Sequence, residues 1–188
     1  KPINKVLNLK EALKNVPSID PYLREGAEET LKLFPEFEKK RKIGIKLSKW
    51  HYPPTHAKRH VEWMMRTPSG KTAFDNKKYR PVKDNGESLK GYSSTYRRIK
   101  WDEPSPAITI RNDAISSQRN VHPGRKLSNG EYSDARVLTP LELMILSSLP
   151  KDWKFPEDTP ELLIRKCLGE SIPPLMSKKI IIVFIGRE

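Results

Sequence analysis

Cysteine, glycine, histidine and long apolar runs are all scarce in this 188-residue chain, and each scarcity closes a class of explanation. A single cysteine, Cys167, excludes an internal disulfide and fits a reducing compartment. The longest apolar run, Ile180 to Ile185, is far shorter than the roughly 18 residues needed to cross a bilayer. No signal peptide is visible, so no membrane partner is expected and the protein reads as soluble and cytoplasmic. With 9 glycines against 17 prolines and a hydrophobic fraction of 36%, long irregular connections are expected around a modest core. Of the four histidines, His56 and His60 stand at i, i+4 and could share a metal. Position 57 is alanine, however, where a metalloprotease helix carries its general base, so no zinc site is expected. Gly70-Lys71-Thr72 ends like a phosphate-binding loop, but position 65 is methionine rather than glycine and no β-branched strand precedes it, which excludes an NTPase.

What the chain has in excess is positive charge. Lys and Arg total 36 against 23 Asp and Glu, a net +13, which points to a polyanionic partner. The excess is concentrated: between Lys39 and Lys100 stand 18 basic and 4 acidic side chains, while the rest is close to neutral. A merely solvated basic surface would not need to be so one-sided. The block closes with Tyr96-Arg97-Arg98-Ile99-Lys100-Trp101. Arg97 and Arg98 beside two aromatics suit a surface that meets phosphates, or else the stretch is a strand whose arginines are only solvated.

Local patterns give short elements. Asn8 to Leu13 reads as a capped helix closed by Pro17, residues 22–34 as a helix with Leu23, Ala27, Leu31 and Phe34 on one face, and Ala57 to Met65 as another. Lys39 to Lys42 is a charge run, and Ala107 to Ile110 a strand. From Arg111 the chain enters a polar, irregular stretch in which Arg111, Asn112, Gln118 and Arg119 have the donor and acceptor geometry that suits base edges in the major groove. Thr139 and Glu142 form a capping box, with Pro140 at the first turn and Leu138 and Leu143 at staple spacing. On spacing alone Arg136 and Glu142 need be no more than solvated or capping residues. Asp158 and Glu161 repeat the capping pattern before a helix expected to stop at Gly169, and Ser171 is placed to cap a last helix with apolar Leu175, Ile180, Ile181 and Phe184.

Taken together, Arg136-Val137-Leu138-Thr139-Pro140-Leu141-Glu142 followed by Ser148-Leu149-Pro150-Lys151-Asp152-Trp153 resembles the ninth sequence block of DNA (cytosine-5)-methyltransferases, Arg-x-Leu-Thr-x-x-Glu and then a helix ending in Phe-Pro-Asp. Lys166-Cys167-Leu168-Gly169-Glu170-Ser171-Ile172-Pro173-Pro174-Leu175 is similar to that family's last block, and Pro106 to Ile110 with His122-Pro123 to the segment leading out of its target-recognition region. The likeness is strongest over residues 92–185. It implies an α+β fold: a lead-in helix over 1–20, a small, loop-rich recognition lobe with short strands over 21–130, and a C-terminal helical region over 131–188 that packs on a catalytic domain outside this chain.

The resemblance further implies double-stranded DNA as partner and S-adenosylmethionine as cofactor of the full-length enzyme, in which a flipped cytosine is attacked by a cysteine thiolate and methylated. Candidate DNA-binding residues are Arg97, Arg98, Thr109, Arg111, Asn112, Gln118, Arg119, Arg125 and Arg136, with Glu170 and Ser171 toward the cofactor. The chain has no Pro-Cys nucleophile, no Glu-Asn-Val and no glycine-rich cofactor loop after a strand, so alone it is expected to be inactive. Cys167 sits where the family often has glutamine and reads as structural, and Glu170 replaces the family's asparagine. The absence of a starting methionine suggests an excised piece. A non-catalytic DNA-binding protein, or the smaller polypeptide of a two-chain methyltransferase, are the competing expectations.

Overall fold

The computed structural model describes residues 6–83, 85–150 and 152–186. The fold is α+β, with seven short helices and one two-stranded sheet among the described residues. Helix α1 (Leu9–Ala12) starts as the sequence predicts, with Asn8 and Glu11 capping each other. The backbone N–H groups of Leu9 and Lys10 donate to the carbonyls of Glu103 and Trp101, which stitches the lead-in to the middle of the chain.

The helix expected over 22–34 is two elements instead. Tyr22–Leu23 forms β1, paired in parallel with β2 (Thr55–His56), and α2 covers only Ala27–Leu33. Gly26, with φ of +115°, turns the chain between them, and the buried Thr30 hydroxyl accepts from Leu23 N–H and donates to Gly26 C=O, so tertiary bonding overrides the helical periodicity. The 39–42 charge run lies inside α3 (Phe37–Leu47), which buries Phe37 and Gly44 and turns its lysines outward. Helix α4 (Lys58–Met65) matches its expectation and buries Val61, Trp63, Met64 and Met65.

Among the described residues from 66 to 139 regular structure nearly vanishes. A 3-10 turn at Ala73–Asp75 and isolated bridges, Thr72 with Arg97, Thr95 with Gln118, Arg98 with Val121 and Val121 with Val137, hold extended segments side by side. Ala107 to Ile110 is therefore not a strand, and neither is Tyr96 to Trp101, because Tyr96 adopts a left-handed φ of 47° that breaks the extended run.

Helix α5 (Pro140–Leu146) has the expected capping box, with Thr139 Oγ1 accepting from Glu142 N–H and Glu142 accepting from Thr139 N–H. Leu138 and Leu143 pack into one core, as a staple should. Helix α6 (Glu161–Glu170) departs from expectation at both ends. Asp158 does not cap it; the helix follows Pro160 with no side-chain cap, and Glu161 instead accepts from Arg165 Nε at 2.6 Å. Gly169 does not stop it, because its small size serves a close approach: a Cβ there would lie 2.5 Å from Thr109 O and 2.6 Å from Ile110 N. Ser171 does not cap α7 (Pro174–Phe184); its hydroxyl donates to Leu168 C=O and closes α6.

Two apolar clusters result. One gathers Leu23, Val61, Trp63, Met64, Tyr96, Ile115, Val121 and Val137 around α4; the other gathers Leu9, Leu13, Ile99, Leu138, Leu143, Met144, Ile164 and Leu168 around α5 and α6. Val137 and Leu138 are sequence neighbours serving different clusters, as alternation along an extended segment requires. The polar residues around this crossing form the frame of the site.

Candidate nucleic-acid interface

Arg136 lies at the junction of the two clusters, fully buried. Its five N–H donors meet five acceptors. Nη1 and Nη2 fork onto Glu142 at 2.7 and 2.9 Å, Nη2 also reaches Asp134 at 2.9 Å, Nε donates to Ile19 C=O at 3.0 Å, and Nη1 to Val137 C=O at 3.1 Å. Asp134 in turn accepts from Ile19 N–H and from the hydroxyls of Ser18 and Ser133. Burial alone would raise both carboxyls, but the facing His122 and Arg136 and their hydrogen bonds hold Asp134 well below the usual range and Glu142 down to about 2, while Arg136 is pushed up. Burial brings His122 down to about 4, and Gly124 N–H donates to its Nδ1, so the ring is neutral near pH 7 and Arg136 is the counter-charge.

Arg98 is a second buried arginine with a different partner set. It donates to the carbonyls of Met64, His122, Ser133 and Asp134 at 2.7–3.2 Å rather than to a carboxylate, and burial, only partly offset by the nearby Asp134 charge, lowers its pKa to about 9. Gly124, at φ of +68°, must lack a side chain here, since a Cβ would stand 2.4 Å from Arg98 Nη1. Asn112 is buried too, and its amide bridges the carbonyls of Thr109 and Arg165 at 2.7 and 2.9 Å. The side chains of Arg98, Asn112 and Arg136 are at most 1% exposed and spend their donors on protein groups, so the expectation that they touch DNA gains no support: they hold the segments that could.

The remaining candidates are on the surface. Arg111 is exposed, with Nε 3.3 Å from Asp113. Gln118 and Arg119 are exposed on a fixed backbone: Thr95 bridges Gln118, and Arg119, at a left-handed φ of 42°, donates its N–H to Ser94 C=O. The buried Asn120 amide donates to Ala114 C=O and Arg111 C=O from within the same loop. Arg125 lies over the Trp101 ring at 5.0 Å and within 3.8 Å of Asp134. Arg97 is half-buried and donates to Ser93 C=O, and together with Arg119, Lys100 and the edge of Arg98 it lines a groove of about 340 Å³. Thr109 is half-buried, and its carbonyl holds Asn112. The structure thus brings Arg97 and Arg119 to one groove and leaves Arg111 and Arg125 elsewhere.

The cofactor candidates lie apart from these. Glu170 and Ser171 are exposed at the end of α6, Glu170 within 4.0 Å of Lys166. Two such groups, one of them already donating within the helix, do not amount to an S-adenosylmethionine site. Cys167 is on the exposed side of α6. Beyond it α7 buries none of its residues; Leu175, Ile181, Val183 and Phe184 are all more than half exposed, Phe184 at 85%. His56 and His60 are occupied otherwise than as ligands: His56 Nε2 accepts from Val137 N–H, and His60 packs on Trp63 and Tyr96.

Sequence reading missed Asp134, His122 as a buried partner, and Arg165. Arg165 is 1% exposed and donates to Glu161, Leu138 C=O and Asn112. The one signal available was its i, i+4 spacing from Glu161.

A family model described as C-5 cytosine-specific DNA methylase matches residues 6–185. The chain is 53% identical over 174 residues to the type II methyltransferase M1.HgaI of Avibacterium volantium, covering 93% of this chain and 47% of that relative. It is 31% identical over 116 residues to the type II methyltransferase M.AquIB of a Picosynechococcus strain, covering 55% of this chain and 73% of that relative. The chain therefore spans about half the length of the first relative, whereas the second is itself shorter than this chain.

Proposed function

The chain belongs to the C-5 cytosine-specific DNA methylase family, and from that premise we propose that it is the target-recognition part of a DNA (cytosine-5)-methyltransferase acting on a specific duplex sequence. The observation that carries the proposal is the loop 111–125, where Gln118 and Arg119 project from a backbone that buried Asn112, Asn120 and Arg98 hold in place. Base reading needs bidentate donors and acceptors at fixed positions, and long side chains on a restrained loop supply them. The lysine-rich surface before it, with Lys77 and Lys78 exposed, supplies sequence-independent attraction to phosphates.

In this reading residues 1–20 lead in, 21–130 form the recognition lobe, and 131–188 pack on a catalytic half that carries the cysteine nucleophile. The exposed apolar side chains of α7 support that packing, since an aqueous face so rich in Ile, Val and Phe is the mark of a covered surface. S-adenosylmethionine supplies the methyl group in the complete enzyme, and Glu170 and Ser171 border its site at most. Such an enzyme would act in the cytoplasm, alongside a restriction partner. A second reading, the smaller polypeptide of a two-chain methyltransferase, is favoured by the match to M.AquIB, a relative shorter than this chain.

Duplex binding by this chain, measured over a range of salt, tests the proposal. The logarithm of the association constant is expected to fall steeply with the logarithm of salt, about 0.9 for each phosphate neutralised. An affinity that hardly changes with salt would contradict it. The chain alone should transfer no methyl group to DNA, and methyl transfer restored by adding a separately made catalytic half would favour the two-chain reading.

A further inference from the structure

A cleft of about 470 Å³ lies between the start of α6, the β2 segment at Pro54–Ala57 and the loop from Arg111 to Ser116. Its charged wall consists of Arg24, Arg111 and Arg165 facing Asp113 and Glu161. These charges do not cancel donor for donor. Arg165 gives Nε to Glu161 at 2.6 Å and Nη1 to Leu138 C=O at 3.0 Å and to Asn112, which leaves its buried Nη2 with no acceptor. A buried guanidinium nitrogen stripped of water and left unpaired is uncommon, because a partner would recover the lost hydration. Arg111 spends Nε on Asp113 and is otherwise 71% exposed, and Arg24 is exposed at the rim. Helix α6 opens at the same cleft with no side chain capping its first turn, whereas α1 and α5 are both closed by capping boxes. The positive end of a ten-residue helix therefore adds to the arginines.

We propose that this cleft binds one phosphodiester of the DNA backbone, with Arg24 and Arg111 as the contacting cations and Arg165 and the open start of α6 as its floor. The proposal rests on the DNA-binding reading above and moves Arg111 from the base edges to the backbone. A phosphodiester fits because it brings one negative charge and several acceptor oxygens, matching a wall with a single excess positive charge and several unused N–H donors. A backbone contact here would register the duplex against the recognition loop, since Asn112 and Ile115 tie this wall to that loop.

The test compares this chain with its Arg24→Ala/Arg111→Ala variant and the conservative Arg24→Lys/Arg111→Lys variant, both positions being exposed. Duplex affinity is measured over a range of salt and over single-base variants of the site. The alanine pair should bind all sequences more weakly by the same factor, with the log–log salt slope shallower by about 0.9, one phosphate's worth; the lysine pair should recover most of it. Inorganic phosphate added to the unmodified chain should shift the Arg165 Nε–H resonance in nitrogen-resolved NMR, and should not do so in the alanine pair. An unchanged slope in the alanine pair, with steep salt dependence in the unmodified chain, would overturn the phosphate site and leave the DNA-binding reading standing. Salt-independent binding by the unmodified chain would overturn that reading instead. A resonance shift without a change in slope would mean an anion site that DNA does not use, and altered base preference would return Arg111 to the bases; either result rejects the assignment.

Discussion

Two groups of arginines divide this molecule. Around Arg136 and Arg98 every donor is matched by a protein acceptor, and the charge is balanced or absorbed by carbonyls. Along the loop 111–125 Arg111, Arg119 and Arg125 have at most partial ion pairs and face solvent. The residue type is the same, and the difference lies in what the neighbouring backbone offers. Asp134, Glu142 and a cluster of inward carbonyls make the first group a structural joint, whereas the second is left with donors to spend on a ligand. A count of positive charge therefore overstates the interface, since its most securely placed arginines are the least available to DNA.

The comparison breaks most severely at the joint. Arg136→Ala strands Asp134 and Glu142 as uncompensated buried carboxylates and should cost about 3–5 kcal/mol of stability in denaturant unfolding. Arg119→Ala, on the surface, should stay within about 0.5 kcal/mol of the unmodified chain. Equal losses at the two positions would erase the distinction drawn here.

Acid should reveal the same joint. His122 is held down to about 4 and His56 to about 3, both chiefly by burial, so the unfolded chain binds protons that the folded chain refuses. Stability should therefore fall as pH drops from about 6.5 toward 4, by up to roughly 1.4 kcal/mol per pH unit for each such histidine. Glu142, lowered to about 2, contributes stability that is present above its unfolded pKa and is lost as pH falls from about 4 toward 2. A melting temperature flat from pH 7 to 4 would show that burial does not hold these histidines neutral.

Smaller effects sharpen the picture. Thr139→Ala removes the acceptor for Glu142 N–H and the hydroxyl 3.0 Å from His51 Nδ1, and should lower stability by about 0.5–2 kcal/mol. Cys167→Ser, at an exposed position on α6, should change stability by less than about 0.5 kcal/mol and leave methyl transfer by the complete enzyme intact. Loss of covalent trapping on a mechanism-based cytosine analogue in that variant would assign Cys167 a role it lacks here.

Local signals were the legible part of the sequence. The capping boxes at Asn8 and Thr139 and the helix ending at Met65 depend on residues within a few positions of one another, and each is where the pattern puts it. The illegible part was set at long range. Tyr22 and Leu23 leave the helical pattern because β2, more than thirty residues away, pairs with them. Gly169 is small for the sake of Thr109, not to end a helix. Arg98 and Arg136 look on paper like Arg111 and Arg119, and only the fold shows which carbonyls and carboxylates surround them. The family blocks were legible as strings, yet the Arg136 and Glu142 of the ninth block prove to be partners across a bidentate pair.

The division of labour is tested most directly by binding across a panel of single-base variants of the target duplex, with Gln118→Ala and Arg119→Ala compared against Lys77→Ala and Lys78→Ala. The first pair should each lose about 1–3 kcal/mol of discrimination at one base pair, while the lysine variants weaken binding to every sequence alike. Uniform weakening from the loop substitutions, together with altered base preference from the lysine substitutions, would contradict the assignment of sequence reading to the exposed loop.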